Sequence, residues 1–150
     1  MARVRALTAG VALIVCVLTS CVGPVRDFGA YRDKASSTAR DMVSPVEAAR
    51  VAVTLARHHD AFSQFVDTAL TDAQDDASSI QQAFESIQPP DEESKALRST
   101  LDDLLTNAVD TLQQLRIAER LGQDGRLPAL AKPLGDLSTR LRDFAEEHHS

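Results

Sequence analysis

Residues 89–125 read PPDEESKALRSTLDDLLTNAVDTLQQLRIAERLGQDG, and this stretch decides the fold. Pro89 and Pro90 end any preceding helix, because proline lacks the N–H and its ring crowds the turn before it. Asp91, Glu92 and Glu93 then place negative charge where a helix dipole has its positive end. Leu97, Leu101, Leu104, Ala108, Leu112 and Leu115 recur at three and four, which puts them on one helical face. Gly122 is the expected residue just past the helix end, and Gly122-Gln123-Asp124-Gly125 reads as a turn. The stretch is a punctuated amphipathic helix, and its apolar stripe requires other helices to cover it.

Reading outward on the carboxyl side, Leu127, Leu130, Leu134, Leu137, Leu141 and Phe144 step 3-4-3-4-3, a heptad seam. Pro128 suits a helix start and Pro133 does not suit an interior, so the sequence predicts a loose first turn and regular helix from about Pro133 to Glu147. On the amino side there is no glycine or proline from Val46 to Gln88. Phe62, Val66, Ala69, Ala73, Ala77, Ile80 and Phe84 follow an eleven-residue repeat, which favours a straight or slightly right-handed helix. Ser44-Pro45-Val46-Glu47 reads as a capping box, so this helix is expected to start at Pro45. Carried to Ile87 it would be on the order of 65 Å long. The alternative is a break near Thr71-Asp72, where either residue can cap a new helix. Before it, Phe28, Tyr31, Ala35, Thr38 and Met42 mark a first helix of about 26–42, joined to the second by a corner or sharp kink. No segment alternates apolar and polar residues between turn signals, so strands are not expected. Short connections at 88–91 and 122–127 make the second, third and fourth helices antiparallel neighbours. The expected fold class is all-α: an elongated antiparallel helical bundle over 26–150. It has four helices, or three if the first merges with the second, and the first and fourth are the shorter ones.

The segment before the bundle is of a different kind. Met1 to Arg5 carries Arg3 and Arg5 and no acid, Ala6 to Thr19 is nearly continuous apolar or small residues, and no acid occurs before Asp27. A basic start, a short apolar stretch and a small-residue exit is the layout of a secretory signal peptide. The stretch falls short of the roughly 20 apolar residues that a permanent transmembrane helix needs. Val4 separates the two arginines, which does not support a twin-arginine signal. Ordinary signal cleavage prefers an A-x-A-like pair of small residues, which the residues around Thr19 to Gly23 match poorly; an uncleaved signal anchor is the other alternative.

Leu18-Thr19-Ser20-Cys21, at the end of that stretch, resembles the lipobox of bacterial lipoproteins. The resemblance covers residues 1–21 and implies that the Cys21 thiol receives a diacylglyceryl group and that a peptidase cuts between Ser20 and Cys21. It divides the chain into a signal peptide (1–20), an acylated tether (21–25) and the helical bundle domain (26–150). Each buried methylene contributes about 0.8 kcal/mol and one chain binds only marginally, so the two or three chains implied would hold the protein essentially permanently. Cys16 would leave with the signal, so the mature chain could form no intrachain disulfide and its stability must come from packing.

Residues 21–150 are enough for one domain with its own core, not comfortably two. Without Arg3 and Arg5, 14 basic residues face 22 acidic ones, a net charge near −8. That disfavours nucleic acid, whose binding rests on neutralising phosphates, and it disfavours a peripheral role on anionic headgroups. The acid keeps a tethered domain soluble and lifted off the bilayer. Lysine is limited to Lys34, Lys95 and Lys132, and the excess of arginine with abundant alanine suggests a GC-rich genome, such as that of an actinobacterium.

Candidate chemistry is sparse. Histidines occur as His58-His59 and His148-His149, and adjacent helical residues point about 100° apart, so neither pair chelates a metal from one face. Glu146-Glu147-His148-His149 reads as a solvated tail, and there is no zinc-type spacing. Asp72, Asp75 and Asp76 lie on a helix without the glycine turn of a calcium loop, and with Asp102 and Asp103 they read as solvated acidic faces. No G-x-S-x-G and no glycine-rich phosphate loop occurs. Neither a catalytic residue, a metal nor a cofactor is expected. Phe28, Tyr31, Phe62, Phe65, Phe84 and Phe144 read as core, with Phe65 and Leu70 off the main stripe, where they widen the buried face or meet a partner. The expected function is a non-enzymatic, lipid-anchored envelope lipoprotein whose bundle binds another envelope protein. In outline it is similar to small cell-surface lipoproteins with helical mature domains. The alternative is a lipoprotein that holds a lipid or other small apolar ligand in a hollow beside Ala69, Ala73 and Ala77.

Overall fold

The computed structural model describes residues 27–57 and 63–149. Four helices fill this span: α1 Phe28–Arg57, α2 Ser63–Glu85, α3 Glu92–Arg120 and α4 Leu127–Glu147, with a single 3-10 turn at Asp124–Arg126 before α4. There is no strand among the described residues. The chain is all-α and its helices pack as a bundle. Ser20, Cys21 and the segments expected to be a signal peptide and a tether lie outside the described residues, as do His58, His59 and Phe62.

Helix α1 begins where Asp27 caps it, its Oδ1 accepting the N–H of Ala30 at 2.9 Å. It then runs for 30 residues through Pro45, roughly 45 Å. The expected corner at Ser44-Pro45 is therefore absent, and the first helix is the longest rather than a short one. A proline inside a helix costs about 3 kcal/mol through one lost hydrogen bond and ring crowding. Two features offset that cost. Pro45 is itself buried, within the unbroken stripe of Tyr31, Ala35, Met42, Val46, Ala49 and Val53. Asp41, whose carbonyl loses its partner, is exposed, so water can take the carbonyl.

The continuous helix expected from Pro45 to Ile87 is not formed. Helix α1 ends at Arg57, and α2 starts at Ser63 and packs back along α1. The Tyr31 ring at the start of α1 lies 5.8 Å from the Phe84 ring at the end of α2, so the two are antiparallel. The alternative break near Thr71-Asp72 is also absent, since α2 runs straight through both. A 65 Å rod would have carried about 20 Å of apolar stripe past the end of α3, which is only 29 residues long. Folding back buries Val66, Leu70, Ala73, Ala77 and Phe84 against neighbours instead.

Helix α3 matches expectation closely. Asp91 caps it by accepting from the Ser94 N–H at 2.8 Å, and its stripe from Leu97 to Leu115 is buried. Its end is a Schellman motif: Gln123 N–H bonds the Ala118 carbonyl and Gly122 N–H bonds the Glu119 carbonyl, each at 2.8 Å, with Gly122 at φ +64°. Helix α4 starts at Leu127 and continues through Pro133, so the loose first turn does not occur. Pro128 occupies the first turn, where its missing N–H costs nothing. Pro133 is exposed, and so is Ala129, whose carbonyl it leaves to water.

Each helix packs on the next around the bundle, α4 closes on α1, and α1 and α3 also meet across the diagonal. One contiguous core results, drawn from all four helices. The start of α1, end of α2, start of α3 and end of α4 share one end of the bundle, which receives the chain from residue 27. The Arg57, Ser63, Arg120 and Leu127 ends share the other.

Candidate functional site

Polar chemistry is concentrated in a few interhelical nodes. The largest centres on Glu47. Its Oε1 accepts from Ser138 Oγ at 2.6 Å and from Arg142 Nη2 at 2.9 Å, both on α4, and its Oε2 accepts from Arg50 Nε at 2.7 Å. The Ser138 hydroxyl, then the Arg50 guanidinium, with Arg142 adding to them, hold this carboxyl down at about 2, against the opposing effect of its partial burial. The sequence assigned Glu47 to a capping box; the continuous helix turns it across to α4 instead.

A second node closes the domain-entry end. Arg98 on α3 donates to the Ile87 carbonyl at 2.9 Å and the Glu85 carbonyl at 3.0 Å, while Asp102 accepts from its Nε at 3.2 Å. The guanidinium thus caps the carboxyl end of α2, where backbone carbonyls lack helical partners. Asp102, expected on a solvated face, orients that cap; Asp103 beside it is exposed. Nearby, burial pushes the Tyr31 phenol above its ordinary value, with Arg98 pulling it down and Asp102 pushing it up. The Tyr31 hydroxyl makes no hydrogen bond among the described residues.

At the far end, Glu119 is raised above its usual value, first by partial burial and then by a hydrogen bond and charge repulsion from Asp67, with Asp124 adding to the repulsion. Arg116 links α3 to α2 through Gln74, with Asp75 at 3.8 Å. Asp72, Asp75 and Asp76 are exposed, as expected of a solvated face. No group of three or more His, Cys, Asp or Glu side chains among the described residues is placed to hold a metal ion. His148 stacks on Phe144 at 4.3 Å, and its Nδ1 lies 2.8 Å from the Phe144 carbonyl, so the first residue of the terminal pair is ordered against the bundle. His149 is exposed.

Hydroxyls are mostly engaged within their own helices. Thr38, Thr54, Ser79, Thr100, Thr111 and Thr139 each donate to the carbonyl four residues back. Ser36 instead crosses from α1 to bond the Ala145 carbonyl at 2.8 Å. A hydroxyl held along its helix is not presented to a base, and the geometry is that of structural hydrogen bonding.

A cleft of about 540 Å³ lies between α3 and α4 near the domain-entry end, with Phe28, Leu97, Leu104 and Phe144 on its walls and Glu93, Arg140, Asp143, Glu147 and His148 around it. Ala73 and Ala77 are buried in helix packing, Ala69 is partly buried, and none of the three lines this cleft. Leu70 is fully buried and widens the core face of α2, whereas Phe65 is exposed. Ile117 and Leu121 are exposed large apolar residues that lie outside the stripe read from the sequence, which is the buried face of α3 alone. Their positions between Leu115 and Gly122, off that stripe, were the available signal.

Compared with protein-family models, curated proteins and solved structures, the chain matches none.

Proposed function

We propose that the protein is a bacterial envelope lipoprotein, anchored through acyl chains on Cys21, whose helical domain binds another envelope protein and performs no catalysis. The observation that carries this reading is Leu18-Thr19-Ser20-Cys21 at the end of an apolar, acid-free stretch. Two features of the domain agree with it. No helix among the described residues is long and apolar enough to cross a membrane, and the reading asks for none. The domain begins at a capped helix only a few residues past Cys21, which leaves a tether of up to about 20 Å between lipid and bundle. The partner-binding role rests on long solvated helix faces, which offer broad contact areas, and on polar groups committed to internal bonds.

Cys21→Ala tests the anchor. The native chain should begin at Cys21 and carry a diacylglyceryl increment in its intact mass, with or without a further acyl chain. The variant should accumulate as unprocessed precursor or be released. A native chain of unmodified mass, or a shortened Cys21→Ala chain still attached to membranes, would overturn the assignment.

A further inference from the structure

The cleft between α3 and α4 opens beside the point where the described chain begins. Phe28, the first residue of α1, is one of its walls, with Leu97, Leu104 and Phe144 completing the apolar side. Ala96 and Thr100, also on its lining, are exposed, so the cleft is open to solvent along α3. Around it stand three carboxylates, Glu93, Asp143 and Glu147. None of their side chains forms an ion pair or hydrogen bond among the described residues. The basic groups of the lining are one guanidinium, Arg140, and the His148 ring, whose Nδ1 already faces the Phe144 carbonyl. An apolar trough with a surplus of negative charge is complemented by an occupant that is apolar and cationic.

Val22-Gly23-Pro24-Val25-Arg26 has that composition, and Asp27 joins it directly to the Phe28 wall. Arg26 is the one charged residue between Arg5 and Asp27. The cleft follows α3 from Glu93 to Leu104, about 16 Å of helix. Five extended residues also span about 16 Å, and Pro24 disfavours a helical Gly23 before it. Attachment beside the cleft gives the segment an effective concentration on the order of millimolar, so a weak contact suffices. The same segment from a second copy lacks this proximity, and anionic headgroups would meet the three carboxylates. We infer that residues 22–26 dock in this cleft as an extended strap, with Arg26 facing Glu93 and Glu147 and with Val25 and Val22 over Leu97 and Leu104. The docking does not depend on acylation. Its consequence for orientation rests on the anchor reading above: Cys21 would emerge beside the middle of α3. The α3–α4 side then faces the bilayer, and α1 and α2 form the outward face for a partner.

The test places a diazirine photo-crosslinking amino acid at position 25 of the full chain, held in nanodiscs of zwitterionic phosphatidylcholine. Photolysis and peptide mass mapping should join position 25 to residues 93–104 of α3 or 140–148 of α4 within one chain. Glu93→Lys with Glu147→Lys should lower that yield at least about five-fold at about 0.15 M salt, and adding Arg26→Glu should restore it. Glu93 and Glu147 are exposed, so their reversal should leave the thermal midpoint unchanged. In the unlabelled chain, trypsin should cut after Arg26 several-fold faster once both glutamates are reversed. Crosslinks to α2, to α1 beyond its first turn, to lipid or to a second copy would overturn the inference, as would no crosslink at all. So would a yield or cleavage rate indifferent to the reversal. Cys21→Ala should keep the same crosslinks; their loss would assign the cleft to the acyl chains and overturn the strap. A native chain of unmodified mass with these crosslinks intact would remove the anchor alone, so the two failures are read separately.

Discussion

At the scale of single residues, Glu47 shows how one carboxylate comes to carry a helix–helix contact. Its acceptors are shared among a serine and an arginine on α4 and an arginine on its own helix. Folding lowers its pKa from 4.5 to about 2, so the stabilisation is complete above about 4.5 and is lost as pH falls towards 2. Glu47→Gln should therefore lower stability at pH 7 by about 1–2 kcal/mol and flatten the acid limb of the curve between those values. Denaturant unfolding of both proteins from pH 7 to pH 2 measures this, and parallel curves would dismiss the node. Tyr31 makes the opposite case. Its ring is wholly buried against Phe84, but its hydroxyl has no partner among the described residues. Removing an unbonded polar group from a buried site removes a desolvation cost, so Tyr31→Phe should leave stability unchanged or raise it by up to about 1 kcal/mol. A loss of that size in urea unfolding would show that the hydroxyl is bonded.

At the scale of elements, the bundle depends on how its helices end. Helix α2 stops before two prolines with no glycine to turn its carboxyl end, and Arg98, reaching across from α3, takes the two carbonyls that remain. Arg98→Ala should cost about 1–3 kcal/mol, as expected for charge-assisted bonds to partly buried acceptors. Arg98→Lys should recover little of it, because an ammonium cannot span two carbonyls and Asp102 in one plane. Thermal unfolding of the three proteins decides between them, and full rescue by lysine would reduce the cap to a point charge. Much of this level was legible in the sequence. The stripe from Leu97 to Leu115, the acidic start at Asp91 to Glu93, the cap at Gly122, and the turns at 88–91 and 122–127 are all local, and local rules place them; that Asp91 itself caps the helix was not read from the sequence. The errors came from punctuation. Pro45 and Pro133 look like breaks, yet each leaves its orphaned carbonyl on an exposed residue, and the flanking apolar stripe carries the helix through. Conversely, residues 58–62, between the end of α1 and the start of α2, include neither glycine nor proline. The sequence signal there was Arg57-His58-His59-Asp60, four polar residues in succession where a stripe would have needed an apolar one. Whether such a gap separates two helices depends on the length of the helices available to cover the next apolar stripe, and that is tertiary information. The exposed pair Ile117 and Leu121 was missed for a related reason: periodicity finds the buried face, and a second face is visible only once the first is packed.

At the scale of the whole molecule, four helices share one uninterrupted core in which Leu101, Leu105, Leu112, Leu115, Leu134 and Leu141 are fully buried. No disulfide among the described residues reinforces it; the cysteines are Cys16 and Cys21, both before Asp27. Because α1 and α3 meet across the diagonal while α2 and α4 each pack on both of them, no helix pair encloses a core of its own. The molecule should accordingly unfold as a single cooperative unit. Leu101→Ala lies near the entry end on α3 and Leu115→Ala near the opposite end of the same helix, and both side chains are fully buried. Each should cost about 2–5 kcal/mol, and each should lower the midpoint of one transition seen alike by far-ultraviolet circular dichroism and by a fluorophore placed at the other end. If Leu115→Ala instead melted the Ile117–Leu130 end first, leaving the Glu47 and Arg98 nodes folded, the far end would be a separately labile unit. Coincident transitions would mean that the exposed apolar side chains at the tip are held in place by the core that lies beneath all four helices.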